Sequence, residues 1–205
     1  MKNINKQMKL DIEKAIAKVE EKSSCELVAV ITQKSGNYSF IALLIASMLT
    51  LMLPAFILIY RPFVDALLVY QIQIVFFVLV FLLLSIENIL ILFLPKSILN
   101  KKAKLKAFET FNILGLQKTS NHQAVMIYVS VYERYVQILT DSGVNSQIDN
   151  DVWQNTVNKF TAMVKNKKFG AGYLKAIEEI GEILIEKFPV QENDKNELPN
   201  YLIEI

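Results

Sequence analysis

Fifty-five consecutive residues, 40–94, carry only three charges, Arg61, Asp65 and Glu87, and 44 of the 55 are hydrophobic. A run so long and so apolar is out of proportion to the core of a small soluble domain, and it divides the chain between two solvents. Residues 40–60 are free of charge; at the helical rise of about 1.5 Å per residue they reach across about 30 Å of hydrocarbon. The second apolar stretch, 66–94, is longer than one crossing needs. A crossing over 67–86 ends before Glu87, whereas one over 72–94 buries it. The first register is favoured and leaves Glu87 and Asn88 at the interface, with 89–94 along the headgroups. Arg61, Pro62 and Asp65 then form the turn between the helices, with Tyr60 and Tyr70 near that interface.

Two crossings return the chain to its starting side, so the segments before and after the pair share a compartment and can build one domain. Lys22 and Lys34 precede the pair, and Lys96, Lys101, Lys102, Lys104 and Lys106 follow it, against Arg61 alone in the turn. The positive-inside rule therefore predicts an integral, two-pass membrane protein with its soluble domain on the cytoplasmic side. The lysine cluster reads first as a topology determinant on a solvated helix face, and second as a contact with anionic headgroups. The amino-terminal 22 residues alternate charged and apolar positions without a continuous apolar run, so insertion is expected to depend on the internal pair.

Outside 40–94 the chain carries 21 Lys+Arg and 18 Asp+Glu, an ordinary globular proportion. The net charge of +2 excludes a strongly basic nucleic-acid binder. Met8, Ile12, Ala15, Ile16 and Val19 fall on one face of a helix over 5–22. Residues 26–32 (ELVAVIT) suit a buried strand. Residues 96–116 read as a basic helix with Leu105, Phe108 and Phe111 inward. Residues 124–131 and 135–140 form a β-hairpin around Tyr132-Glu133-Arg134, its first strand apolar on both faces. Asp149 caps the next helix, with Asp151 in its first turn and Trp153, Val157, Phe160 and Val164 on one face. Gly170 and Gly172 precede a last helix with Leu174, Ile177, Gly181 and Leu184 inward, ended by Pro189. The tail is polar until residues 201–205, which are expected to dock on the domain.

The predicted fold class is α/β, a small mixed sheet of about three strands flanked by helices on both faces, with an inserted two-helix transmembrane hairpin. The expected division is 1–39 as the first part of the α/β domain, 40–94 as the hairpin, 95–188 as the remainder, and 189–205 as a tail.

The segments SSCELVAVIT, GLQKTSNHQAVMIYVSVYERYVQILTDSGV and VWQNTVNKFTAMVKNKKFGAGYLKAIEEIGEIL, with the tail NELPN, resemble the TPM domain family. That family is named for a thylakoid lumen protein, a photosystem II assembly factor and a nematode receptor-associated protein. The likeness is to its membrane-anchored bacterial members and spans roughly 11–35 and 100–200, with the hairpin as an insertion. The resemblance implies a small sheet flanked by helices. Some plastid members of the family are described as acid phosphatases or as helpers of photosystem repair, and many bacterial ones have no assigned role, so the resemblance implies the fold more than an activity.

Phosphoryl chemistry by familiar routes needs a Walker loop, a Cys-x5-Arg cradle or an aspartyl nucleophile after a strand, and the sequence holds none. Asp141, Asp149 and Asp151 are the carboxylates suited to a hard cation, Ca²⁺ or Mg²⁺, at the sheet's carboxyl edge, although helix capping explains Asp149 and Asp151 more simply. His122 is the only histidine and Cys25 the only cysteine, so a multi-cysteine zinc site and an intrachain disulfide are ruled out. His122 is read as a surface histidine and Cys25 as an inert small residue at a strand edge. Gly170-Ala171-Gly172 lacks the preceding strand of a dinucleotide turn. The expected function is that of a non-catalytic, membrane-anchored domain assisting assembly, maintenance or regulation of membrane protein complexes, its partners the lipid bilayer and a membrane protein, with no cofactor and no nucleic acid. The alternative is a metal-dependent, phosphatase-like hydrolase using the carboxylates.

Overall fold

A computed structural model describes residues 6–119, 121–166, 168–190 and 201–205. The chain divides into two units, one formed by Met1–Ser35 and Asn100–Ile205, the other by Gly36–Leu99. The first is an α/β sandwich. Its four strands, β1 (Glu26–Thr32), β2 (Ala124–Ser130), β3 (Tyr135–Thr140) and β4 (Ile203–Glu204), lie in the order β3-β2-β1-β4. β1 runs parallel to both β2 and β4, with Glu26 opposite Ala124 and Thr32 opposite Ser130, while β2 and β3 pair antiparallel. Parallel neighbours need a crossover rather than a tight turn.

Every residue of β1 and β2 is buried, as β-branched central strands covered on both faces require. On one face Leu27, Ala29, Ile31, Val125, Ile127 and Val129 pack with α1 (Lys6–Glu20), α7 (Asn150–Lys165) and α8 (Phe169–Lys187). On the other, Val28, Val30, Met126 and Tyr128 meet Ala107 and Phe111 of α5 (Lys96–Ile113) and Leu116 beyond it. Thus one α/β layer arrangement uses both sets of alternating strand side chains.

Three local expectations change. The fourth strand is the docked tail, two residues long on the edge of β1, too short to carry a periodic signal. Gly170 and Gly172 lie inside α8, which begins at Phe169; a Cβ on Gly172 would stand 3.1 Å from Met163 Cβ, so the glycine lets α8 close on α7. In α5 the orientation differs. Phe111 is inward, but Leu105 and Phe108 are 57% and 44% exposed, and Ala103, Ala107 and Thr110 are buried instead. Small side chains let the helix backbone settle onto the strand side chains, which larger residues would hold away.

The crossing of α1 and α8 depends on a glycine. A Cβ on Gly181 would overlap Val19 Cγ2, and a helical valine has one strongly preferred rotamer with which to yield. Overpacking costs about 1–3 kcal/mol, offset in part by alanine's helix propensity; Gly181→Ala is expected to destabilise this unit by about 1–2 kcal/mol. Adding Val19→Ala makes the space and should restore the glycine-to-alanine step to neutral or better. Denaturant unfolding followed by the fluorescence of Trp153, the only tryptophan, measures both; an unchanged midpoint in the single variant rejects the close crossing.

The second unit holds α2 (Ser39–Tyr60), α3 (Ala66–Leu84) and the short α4 (Glu87–Phe93). Asp65 caps α3, its carboxylate accepting from Leu67 N–H at 3.3 Å. In α2 the buried residues are Ala42, Ala46 and Thr50, four apart and therefore on one face. Gln73 Nε2 donates to Thr50 O at 3.3 Å, tying α3 to α2. α3 stops at Leu84, where Ser85 Oγ donates to Phe81 O at 2.8 Å; a continuous helix over 72–94 is not formed, and Glu87 opens a separate one. α2 and α3 are long and apolar enough to span a membrane. Most of their surface is exposed, including Leu51, Phe56, Ile59, Leu67 and Leu79.

Candidate functional site

A polar cluster in the α/β unit sits at the carboxyl ends of β1 and β2. Parallel pairing brings Thr32 beside Ser130, and Val131 N–H and Tyr132 N–H continue the ladder to Thr32 O and Gln33 O, both at 3.0 Å. The chain leaving β1 is thereby held against the turn leaving β2. Ser35 Oγ donates to Ser130 Oγ at 2.7 Å and lies 2.9 Å from the Tyr128 hydroxyl. Ser130 Oγ donates in turn to Glu133 Oε2, and Ser35 N–H donates to Glu133 Oε1 at 2.9 Å.

These bonds have a direction. With Ser35 Oγ spending its proton on Ser130, its lone pair is open to the Tyr128 hydroxyl, so the donors run Tyr128 to Ser35 to Ser130 to the carboxylate, which only accepts. Such chains strengthen cooperatively where water is scarce; Tyr128 is fully buried, Ser130 is 1% exposed and Glu133 5%. Burial is the main reason the Tyr128 pKa is raised; the negative charges of Glu133 and Glu109 add to it, while the Ser35 hydrogen bond opposes. Tyr128 accordingly stays a proton donor in the physiological range. Glu133 accepts at both oxygens. Chemically the cluster is a clasp, joining the segment after β1 to the β2–β3 turn, with Lys34 Nζ 5.0 Å from the centre of the Tyr132 ring beside it.

A second polar pair lies at the opposite edge. Because β3 is antiparallel to β2, Asp141 emerges at the amino-terminal end of β2 and not at the carboxyl edge of the parallel strands. Asp141 Oδ2 is 3.1 Å from His122 Nδ1, and Asp141 Oδ1 accepts from Ser142 N–H at 2.7 Å, capping the single turn α6 (Ser142–Asn145). His122 adopts a left-handed backbone, φ 53°, and its carbonyl accepts from Gly143 N–H at 3.0 Å. A Cβ on Gly143 would stand 2.6 Å from that carbonyl oxygen, so only glycine fits there.

Of the carboxylates expected from sequence to share a cation, Asp141 is 9% exposed and engaged as described, Asp149 is the exposed N-cap of α7 without a side-chain cap bond, and Asp151 is exposed in its first turn. Among the described residues no three His, Cys, Asp or Glu side chains are grouped so as to hold a metal ion. Cys25 is buried at 1% exposure, and Trp153 is buried in the core shared with α8. The clasp residues Ser35, Tyr128, Ser130 and Glu133 escape sequence reading. Their one local signal is a serine ending an otherwise apolar strand, followed three residues later by a glutamate.

No curated protein matches this sequence. Among solved structures, the chain is similar to the BA42 protein from the psychrophilic bacterium Bizionia argentinensis, determined by NMR, at 19% identity and a TM-score of 0.61, over 98% of this chain and 94% of that one. Identity that low carries the fold alone. The TPM domain, as a family, matches residues 88–183, a span that runs from α4 through β2, β3 and α7 into α8 and leaves α1 and β1 outside. A TPM domain is therefore found at residues 88–183 of this chain.

Proposed function

We propose that this chain is a membrane-anchored, non-catalytic TPM-type protein that assists assembly, maintenance or regulation of membrane protein complexes. The observation that carries the reading is the pair α2 and α3, apolar along their length with most of their surface uncovered. Exposed to water, such a surface is an aggregation liability; in lipid it is at rest. The lysine asymmetry around the pair supports a cytoplasmic placement of the α/β unit. The TPM domain at residues 88–183, a family some of whose plastid members are described as helpers of photosystem repair, supports a role in maintaining complexes, and the clasp, with its carboxylate and hydroxyls bonded to one another, suits positioning rather than turnover.

Two measurements test this. The full-length protein is expected to stay in the membrane pellet through alkaline carbonate extraction, and release into the supernatant overturns the anchoring. Purified protein assayed against phosphate monoesters, with and without Ca²⁺ or Mg²⁺, is expected to show no turnover. Hydrolysis that disappears in both Asp141→Ala and Asp151→Ala establishes the phosphatase-like alternative instead.

A further inference from the structure

The outer face of α5 combines two features that a water-facing helix has no use for together. Leu105 and Phe108 project outward, 57% and 44% exposed, while the helix's alanines fill the inner face. Around them stand Lys101, Lys102 and Lys104, all exposed, and Lys104 Nζ lies 5.9 Å from the centre of the Phe108 ring. Lys106 is compensated by Glu109 at 3.1 Å; the other three have no acidic neighbour on the helix, since Glu109 is the only acidic residue in Lys96–Ile113. The helix also begins directly after the apolar segment, separated from α4 only by Leu94 and Pro95.

We infer that the outer face of α5 is a second membrane contact, an interfacial helix that rests on anionic phospholipid headgroups with Leu105 and Phe108 inserted among the upper acyl carbons. A helix with apolar side chains ringed by lysine lies in the interface plane: the rings and branched carbons leave water, and the lysines stay at headgroup depth, reached by their flexible stems. Anionic lipids are the fitting occupant because the uncompensated charge is all of one sign, and lysines close to an anionic leaflet are drawn to it at short range. A partner protein would need a complementary acidic, apolar groove; a bilayer supplies both features wherever the anchor places it. The TPM-type sheet face behind α5 would thus be held against the membrane by its own crossover helix.

The inference rests on the anchored reading above, and one experiment separates the two. Full-length protein with Cys25→Ala and Phe108→Cys, labelled with an environment-sensitive fluorophore, is assembled into nanodiscs of phosphatidylcholine alone or with about 30 mol % phosphatidylglycerol. Leu105→Cys provides a second labelling position, and Asn155→Cys on α7 is the aqueous control. With anionic lipid, the probe at 108 should lose its quenching by aqueous iodide and gain quenching by nitroxide-labelled lipid. Changing Lys101, Lys102 and Lys104 together to Gln should abolish that difference. Iodide access in both lipid compositions, or lipid quenching that ignores lipid charge, overturns the inference. Protein that fails to enter nanodiscs at all overturns the anchored reading instead.

Discussion

Replacing Phe160 by alanine is expected to destabilise the α/β unit by about 3–5 kcal/mol, the range for deleting a fully buried aromatic ring. Phe160 is 2% exposed on α7. It meets Phe169 and Tyr173 of α8 edge-on, with ring centroids 5.8 and 5.7 Å away. The loss has two parts, the transfer of the ring to water and the cavity left behind. Collapse to fill that cavity is impeded because Gly172, where an added Cβ would stand 3.3 Å from the ring, has no side chain to offer. A typical domain has only about 5–15 kcal/mol to lose, so the variant should be partly unfolded or degraded at growth temperature. Val152→Ala, at a 36% exposed position on the same helix, should change stability by less than about 0.5 kcal/mol. Urea titration in detergent, read by Trp153, gives both values, and a Phe160→Ala loss below the Val152→Ala loss would show that α7 and α8 are not packed as described.

The clasp carries the second large effect. Glu133→Ala removes the acceptor of both Ser35 N–H and Ser130 Oγ; leaving buried donors unpaired costs about 1–3 kcal/mol. Glu133→Gln preserves the shape and one carbonyl acceptor and should cost less. The glutamine variant has a further signature. Because the Glu133 charge is one cause of the raised Tyr128 pKa, its removal should move Tyr128 ionisation to lower pH, while burial keeps it above that of a free tyrosine. The sign for stability follows: a tyrosine whose folded pKa is raised favours the folded state below the unfolded pKa of about 10 and loses that contribution as pH climbs through the folded value. Absorbance titration near 295 nm detects the shift, and a Tyr128 transition unmoved in Glu133→Gln would exclude electrostatic contact between the two groups.

Ser35 and Ser130 are 95 positions apart, with the whole apolar segment between them, so no window of sequence shows them as neighbours. They meet because β1 and β2 pair in parallel and in one register. The same register places Tyr128 two residues before Ser130 on the same strand face, where its hydroxyl can reach the edge. Asp141 illustrates the converse: three aspartates within eleven positions look like a site, but β3 reverses the chain, and Asp141 is carried to His122 while Asp149 and Asp151 open a helix facing water.

What the sequence by itself determined is whatever depends on local hydropathy and on steric preference of single residues. The apolar helix pair was legible because crossing hydrocarbon demands length and absence of charge, both countable along the chain. The strands over 26–32 and 124–130 were legible because central strands need unbroken β-branched runs. Only the tertiary structure decided which face of α5 is inward, since Ala103 and Ala107 win the sheet by being small where Leu105 and Phe108 would win it by being greasy. Likewise the edge strand β4, two residues long, exists only because β1 offers it a template. Burial and pairing are properties of two segments at once, and the information for them is spread across both.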